Sequence, residues 1–126
     1  MVDTNDEWIL TRTGIKERRI LEDGVGTSFM AINAAQQIIK KKHLDPLDID
    51  MFIVATITPD MHVSATAAHV ATQIGAINAF GYDLQAACSG FLYGMSVASS
   101  YIESGRYKNI ILIGADKMSS IIDYSD

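Results

Sequence analysis

The sequence has little cysteine, no long apolar run and fewer basic than acidic residues. Cys88 is the single cysteine among 126 residues, which excludes an internal disulfide framework and favours a reducing compartment. No apolar stretch approaches the roughly 20 residues that span a bilayer, and residues 2–7 are more acidic and polar than a signal peptide. The formal net charge of −5 argues against a nucleic-acid scaffold. The sequence therefore predicts a cytoplasmic protein whose partners include neither nucleic acid nor a membrane.

The sequence does contain a regular alternation of helical and extended patterns. Because 48% of its residues are hydrophobic and 20% are charged, the composition is that of a globular protein, and the length suits one core. Helices are predicted at 28–42, 64–75 and 90–104, and strands at 51–58, 79–84 and 110–115. Thr27 or Ser28 is the expected N-cap of the first of these helices. This order predicts an α/β fold in which a mostly parallel sheet carries helices on both faces.

Two of these strands and one helix are apolar on every side. The runs 51–58 (MFIVATIT) and 110–115 (IILIGA) predict strands that are buried on both faces. The segment 90–104 has apolar or small residues all round until Glu103, which predicts a helix buried within a layered protein.

Cys88 lies where a predicted strand passes through Gln85, Ala86 and Ala87 into a helix. A thiol in this place would be close to exposed amides and to the positive end of the helix dipole, which favour the thiolate. The small residues on both sides would let a substrate approach the sulfur. A lone cysteine is in other settings a small buried hydrophobe, but this setting favours a nucleophile.

The N-terminal segment combines the single tryptophan with a nearby arginine. Trp8 and Arg12 stand four positions apart, so on a helical turn they would share a face and could clamp a flat ring or a phosphate. In the alternative interpretation, Trp8 covers the edge of the core and Arg12 pairs with Asp6 or Glu7. The residues themselves leave both interpretations open.

Several motifs resemble β-ketoacyl-acyl-carrier-protein synthase III, the condensing enzyme that starts bacterial fatty-acid synthesis. The resemblance is carried by an entry signature, a nucleophile motif around Cys88 and the strand that follows them: DTNDEWI at 3–9, TRTGI at 11–15, DLQAACSGF at 83–91 and IGAD at 113–116. The motifs stand in the family's order and at the family's separations, and they extend over nearly the whole chain.

The resemblance implies a thiolase-like layered fold, built from two similar halves and normally found in a homodimer. It implies that Cys88 attacks the thioester of an acyl-coenzyme A primer, and that the bound acyl group then condenses with malonyl-acyl-carrier protein. Trp8 would stack on the adenine of coenzyme A, and Arg12 and Thr4 would lie beside its nucleotide end. No cofactor and no metal ion is expected.

The resemblance covers only the N-terminal half of the family's enzymes. Their catalytic histidine and asparagine belong to a second half that is absent here, and His43, His62 and His69 stand in segments that do not match the family's histidine motif. We therefore expect residues 1–126 to be a fragment, an N-terminal thiolase-like half without its first strand, that cannot catalyse the full condensation alone. The missing strand is expected near the centre of the sheet, where its absence would cost about 1 to 3 kcal/mol for each unpaired buried backbone group.

Val63 is the candidate determinant of the primer. It stands in the loop 59–64, where the family has residues that line the acyl pocket of the neighbouring subunit, and some members carry a bulky aromatic at this position. The smaller side chain predicts a primer larger than acetyl. In the alternative interpretation, Val63 only packs against its own helix.

Three other function classes compete with a fatty-acid condensing enzyme. A polyketide or quinolone-type condensing enzyme would keep Cys88 without needing the pair Trp8 and Arg12. A non-catalytic truncated module would agree with the absent histidine and asparagine. A Rossmann-type nucleotide protein shares the alternating pattern, but no G-x-G-x-x-G follows any predicted strand.

Overall fold

The computed structural model describes residues 4–123 and 125. Four helices and three strands make up the fold: α1 (Asp6–Thr13), α2 (Thr27–Lys42), β1 (Met51–Ala55), α3 (Thr66–Ile74), β2 (Phe80–Leu84), α4 (Gly90–Glu103) and β3 (Ile110–Gly114). Short 3-10 turns lie at Pro46–Asp48, Ala87–Ser89 and Met118–Ser120. The alternating order predicted from the sequence is confirmed. The first strand is shorter than predicted, because both ladders of β1 end at Ala55. The hydroxyl of Thr56 and the N–H of Ile57 bond instead to Asp116.

The three strands form one parallel sheet in the order β2-β1-β3. Met51 at the start of β1 is paired with Phe80 on one side and with Ile110 on the other, and both ladders continue to Ala55. The prediction that a strand is missing from the centre of this sheet is therefore wrong. Since β1 is bonded on both edges, the energetic penalty expected from a central gap does not arise either.

Helices cover both faces of the sheet. On one face, Phe52 and Val54 are completely buried in a cluster with Ala31 of α2 and Ala67 of α3. On the other face α4 crosses close to the strands, and a side chain at Gly94 would collide with Leu112 of β3. The predicted α/β layering is thus confirmed, with α2 and α3 in one outer layer and α4 in the other.

The predicted burial of the two apolar strands and of α4 holds only in part. Every residue of β1 is buried, as expected, but β3 is an outer strand and only Ile111 and Ile113 are buried. Within α4, Gly90 and Gly94 are the buried residues, whereas 66% of the surface of Leu92 is exposed. In the described part of the chain, α4 is an outer layer and packs against the sheet on one side only.

The N-cap of α2 differs from the prediction. Gly26, not Thr27 or Ser28, occupies the cap position, and the carboxylate of Asp60 accepts the backbone N–H of Ser28 at 3.2 Å. Thr27 instead donates its hydroxyl to the carbonyl of Thr58 at 2.6 Å. A Cβ at position 26 would overlap the Asp60 carboxylate, so a larger residue there would displace this acceptor from the start of α2. The start of α2 is therefore fastened to the loop that follows β1.

None of the helices among residues 4–123 is long and apolar enough to cross a membrane.

Asp50 ties together the starts of β1 and β3. Its Oδ2 accepts the backbone N–H groups of Asn109 and Lys108 at 2.9 and 2.8 Å, and these bonds hold the pKa of Asp50 below its ordinary value of 3.8. A lowered pKa in the folded state means that Asp50 stabilises the fold above its unfolded pKa. That contribution is lost as the pH falls through the lowered folded-state value.

An Asp50→Asn variant should therefore be less stable than the native chain at about pH 7, and the difference should shrink at about pH 3. The measurement is urea unfolding of both proteins at the two pH values. Asp48→Asn, an exposed carboxylate two residues earlier, serves as the control. A stability difference that is as large at acid pH as at neutral pH would contradict the assignment.

Candidate active site

Cys88 lies at the carboxyl edge of the sheet, which is where parallel α/β sheets place their binding and reacting groups. It follows the end of β2 by four residues, within the 3-10 turn Ala87–Ser89 that runs directly into α4, and it is exposed. Ala87 adopts a φ of 44°, in the left-handed region that is unfavourable for a residue with a Cβ. Strain of this kind persists only where the surroundings enforce it, and such positions cluster at functional sites.

The turn that carries Cys88 is held against the end of β1. A Cβ built on Gly90 would lie 3.3 Å from the Cβ of Ala55, so a larger residue would push α4 away from the sheet. The amide of Thr56 donates to the carbonyl of Leu84 at 3.2 Å and extends the β1–β2 pairing by one bond beyond the strands. The backbone on both sides of Cys88 is therefore fixed by the sheet.

The N-terminus of α4 is uncapped, unlike the other helix starts in the described part of the chain. Asn5 accepts an N–H at the start of α1, Asp60 does so for α2, and Asp83 does so for α3. At α4 no side chain of the described residues caps the helix, and its first turn contains no acidic residue. The N–H groups of Ser89 and Gly90 donate to the carbonyls of Ala86 and Ala87 in the preceding turn. The attraction for a thiolate or a developing oxyanion at Cys88 therefore comes from the positive end of the helix dipole.

Trp8 and Arg12 form a stacked pair on α1, as their spacing predicts. The guanidinium Cζ of Arg12 lies 4.2 Å from the centroid of the Trp8 ring. Asp6 pairs with Arg18 and not with Arg12. Because α1 has no buried residue and 49% of the Trp8 surface is exposed, Trp8 does not cover the edge of the core. The pair is therefore available to a flat or charged ligand.

Thr4 and Val63 are both exposed. Thr4 directly precedes Asn5, the N-cap of α1. Val63 is fully exposed in the loop between β1 and α3. The alternative interpretation, in which Val63 packs against its own helix, does not describe this structure.

The structure brings only some of the predicted site residues together. Trp8 and Arg12 are in contact on α1, while Cys88 and Val63 follow neighbouring strands at the same edge of the sheet. Within residues 4–123, no hydrogen bond joins Cys88 to any other candidate residue. In the same part of the chain, no three histidine, cysteine, aspartate or glutamate side chains are grouped so that they could hold a metal ion.

Sequence reasoning missed the carboxylates that fasten the loops around this edge. The Oδ1 of Asp116 accepts the hydroxyl of Thr56 at 3.0 Å and the N–H of Ile57 at 2.8 Å. Asp83 holds the start of α3 and Asp60 holds the start of α2. Acidic residues at or just after the ends of predicted strands were the available signal, because loop amides at that edge need acceptors.

Known proteins match this chain both in sequence and in structure. Residues 82–126, which include Cys88, match the family model described as 3-oxoacyl-[acyl-carrier-protein (ACP)] synthase III. The whole chain is 59% identical to Beta-ketoacyl-[acyl-carrier-protein] synthase III 2 of Bacteroides thetaiotaomicron and 60% identical to the synthase III of Phocaeicola vulgatus. The chain is a relative of β-ketoacyl-acyl-carrier-protein synthase III. The resemblance to synthase III predicted from the motifs is thereby confirmed.

Solved structures of synthase III enzymes have the same fold as this chain. The 3-oxoacyl-[acyl-carrier-protein] synthase III of Aquifex aeolicus superposes with a TM-score of 0.88 at 44% identity, over 98% of this chain and 40% of that one. A priming β-ketosynthase of the R1128 polyketide pathway gives a TM-score of 0.87 at 36% identity, over 98% of this chain and 37% of that one. The thiolase-like layered fold is confirmed. The chain spans about 38% of the length of the two curated synthase III relatives.

Proposed function

We propose that the complete protein is an acyltransferase that loads an acyl-coenzyme A primer on Cys88 and condenses it with malonyl-acyl-carrier protein, which starts fatty-acid synthesis. The observation that carries this proposal is the exposed thiol of Cys88 at the uncapped start of α4. The identity of 55–60% to several curated synthase III enzymes supports it.

The loading step follows from the position of Cys88. Its sulfur, as thiolate, attacks the thioester carbon of the primer, and the carbonyl oxygen becomes an oxyanion. The backbone N–H of Cys88 and the positive end of the α4 dipole stabilise this charge. The carbon–sulfur bond to coenzyme A then breaks, coenzyme A leaves as a thiolate, and the acyl group remains on Cys88. The residues that drive decarboxylation of the malonyl group are expected outside residues 1–126.

Intact mass spectrometry tests the loading step. The complete protein is incubated with acetyl-, isobutyryl- and longer acyl-coenzyme A thioesters, with Cys88→Ala as the control. We expect an adduct of one acyl group that is absent from the control. No adduct on the native protein, or an equal adduct on Cys88→Ala, would contradict the proposed function. The same experiment on the 126-residue chain tests whether the residues of this chain alone can transfer the acyl group to Cys88.

The coenzyme A site is proposed on α1. Trp8 would stack on the adenine, and Arg12 and Thr4 would lie beside the nucleotide end; the exposed stacked pair on α1 supports this assignment.

Replacing Trp8 with alanine should weaken coenzyme A binding about tenfold, because stacking of an aromatic side chain on a base contributes about 1 to 3 kcal/mol. Isothermal titration calorimetry with coenzyme A measures this effect. Leu10→Ala removes another exposed apolar side chain from the same helix and is the matched control. Equal weakening by both variants would mean that α1 as a whole, and not the Trp8 ring, is responsible.

A homodimer is also proposed, in which Val63 lines the acyl pocket of the neighbouring subunit. The full exposure of Val63 supports this, since its side chain is available to another surface. The outer edge of β2, unpaired in the described part of the chain, and the exposed Phe80 on that strand offer a place for association.

A Val63→Phe variant of the complete protein should shift the primer preference towards acetyl-coenzyme A, because a larger side chain reduces the volume of the pocket. The ratio of kcat/KM for acetyl and branched primers is measured, and we expect a change of about tenfold, as one or two methylene groups are worth about 1 to 3 kcal/mol. Met61→Phe introduces the same side chain two residues earlier and is the control. An unchanged ranking of primers in Val63→Phe would mean that Val63 does not line the acyl pocket.

A polyketide priming ketosynthase is the second candidate, because the R1128 enzyme covers 98% of this chain at 36% identity. Condensation assays with fatty-acid and polyketide carrier proteins in parallel distinguish the two. For either function a cytoplasmic location is proposed, since an exposed single thiol fits a reducing compartment.

A further inference from the structure

Asp83 makes a bridge between the strand that leads to Cys88 and the loop that contains Val63. Its two carboxylate oxygens accept the backbone N–H groups of Thr66 at 2.7 Å and of Ala67 at 2.8 Å. These N–H groups open α3, whose own N-cap residue, Ala65, offers no side-chain acceptor. The cap of α3 therefore comes from the neighbouring strand and not from the helix's own sequence.

Cys88 and Val63, two of the candidate site residues, both lie within a few residues of this bridge. Val63 precedes Thr66 by three residues, and Cys88 follows Asp83 by five. A chain of three to five residues reaches at most about 10 to 18 Å, so a shift at the bridge is transmitted over a short distance. The contact between α3 and β2 is also tight, because a Cβ on Gly81 would lie 2.9 Å from the Cβ of Ala67. The two elements have little room to slide past each other.

We propose that Asp83 is a positioning residue that fixes the Val63 loop to the strand that leads to Cys88, and thereby sets where Val63 enters the acyl pocket of the neighbouring subunit and which primer fits there. The inference about the primer rests on the proposed function. The charge of Asp83 faces the positive end of α3, which strengthens both hydrogen bonds. Loss of the carboxylate releases the start of α3, and with it the loop, from the strand that carries the nucleophile.

The test compares Asp83→Asn with Asp50→Asn in the complete protein. Asp50 is a matched control because it also accepts two backbone N–H groups, but from residues 108 and 109 at the opposite edge of the sheet. The readout is the ratio of the Cys88 acylation rates with acetyl- and isobutyryl-coenzyme A. We expect Asp83→Asn to change this ratio about fivefold or more, and Asp50→Asn to change it by less than about twofold. Equal changes, or no change in Asp83→Asn, would overturn the proposal.

A second variant separates positioning from helix stability. Ala65→Ser, added to Asp83→Asn, supplies a local N-cap to α3 without restoring the bridge to β2. We expect it to recover the stability of α3 but not the native primer ratio. Recovery of both would mean that Asp83 only caps the helix.

Amide hydrogen exchange tests the bridge independently of any reaction. In Asp83→Asn we expect exchange to accelerate about tenfold both in residues 61–67 and in residues 86–90, because both segments lose their common anchor. Acceleration in residues 61–67 alone would overturn the proposal. Absence of acylation in the native protein would contradict the proposed function, and hydrogen exchange would still decide the role of Asp83.

Discussion

A Cys88→Ser variant should take up an acyl group from acetyl-coenzyme A about 10³-fold more slowly than the native protein, or slower still. A serine hydroxyl needs a general base to become a nucleophile, and such assistance is typically worth about 10² to 10⁴ in rate. No hydrogen bond within residues 4–123 joins position 88 to a histidine or carboxylate that could act as this base. The positive end of the α4 dipole stabilises an existing anion, but it accepts no proton.

The rate is measured by quenched-flow mass spectrometry with saturating acetyl-coenzyme A. Cys88→Ala defines the background of acylation at other groups, and circular dichroism verifies that both variants keep the native helix content. If the serine variant reacts as fast as the native protein, a base must be present that activates either side chain. The reactivity would then not come from the thiolate.

The helices and strands could be predicted because their signals are local. The run MFIVA buries every residue of β1, and the i, i+4 spacing of Trp8 and Arg12 produces the stacked pair on α1. The place of Cys88 in the fold follows in the same way, since a strand, a small-residue turn and an apolar helix stand consecutively around it. The motif resemblance adds the identity of the family, which periodicity does not contain.

The helix caps could not be predicted because their partners are distant in sequence. Asp60 reaches the start of α2 across 32 residues, and Asp83 reaches the start of α3 across 17 residues. Local rules favoured Thr27 or Ser28 as the cap, but the hydroxyl of Thr27 is used by the carbonyl of Thr58. The pattern that distinguishes α4, a helix start without a side-chain cap, becomes visible only once the other caps are assigned.

The order of the strands in the sheet could also not be predicted from the sequence. A parallel strand pair can be neighbours or be separated by another strand, since each crossover helix permits both arrangements. The apolar pattern of β3 led to the expectation of burial on both faces, whereas two of its residues are buried and Gly114 is exposed. The hydrophobicity of residues 110–115 thus indicated that this segment is a strand of the sheet, but it did not indicate where in the sheet the strand lies.

Replacing Phe52 with alanine should lower the free energy of unfolding of the 126-residue chain by about 3 to 5 kcal/mol. Phe52 is completely buried in the central strand β1, and it packs with Ala31 of α2 and with Val70 of α3 in the core cluster. These neighbours are small or short, so they cannot move in to fill the space of a lost ring. The deficit is a large fraction of the roughly 5 to 15 kcal/mol by which domains are stable.

Urea unfolding followed by circular dichroism measures this loss, and Phe29→Ala is the matched control. Phe29 lies on α2 with 53% of its surface exposed, so the same substitution there should cost less than about 1 kcal/mol. A similar loss at both positions would mean that the layer between α2, α3 and the sheet is not the core of the isolated chain. A large loss of stability at Phe52 alone would show that the packing of β1 is what stabilises the isolated chain. The same strand also positions the turn that contains Cys88, because Ala55 at the end of β1 lies against Gly90.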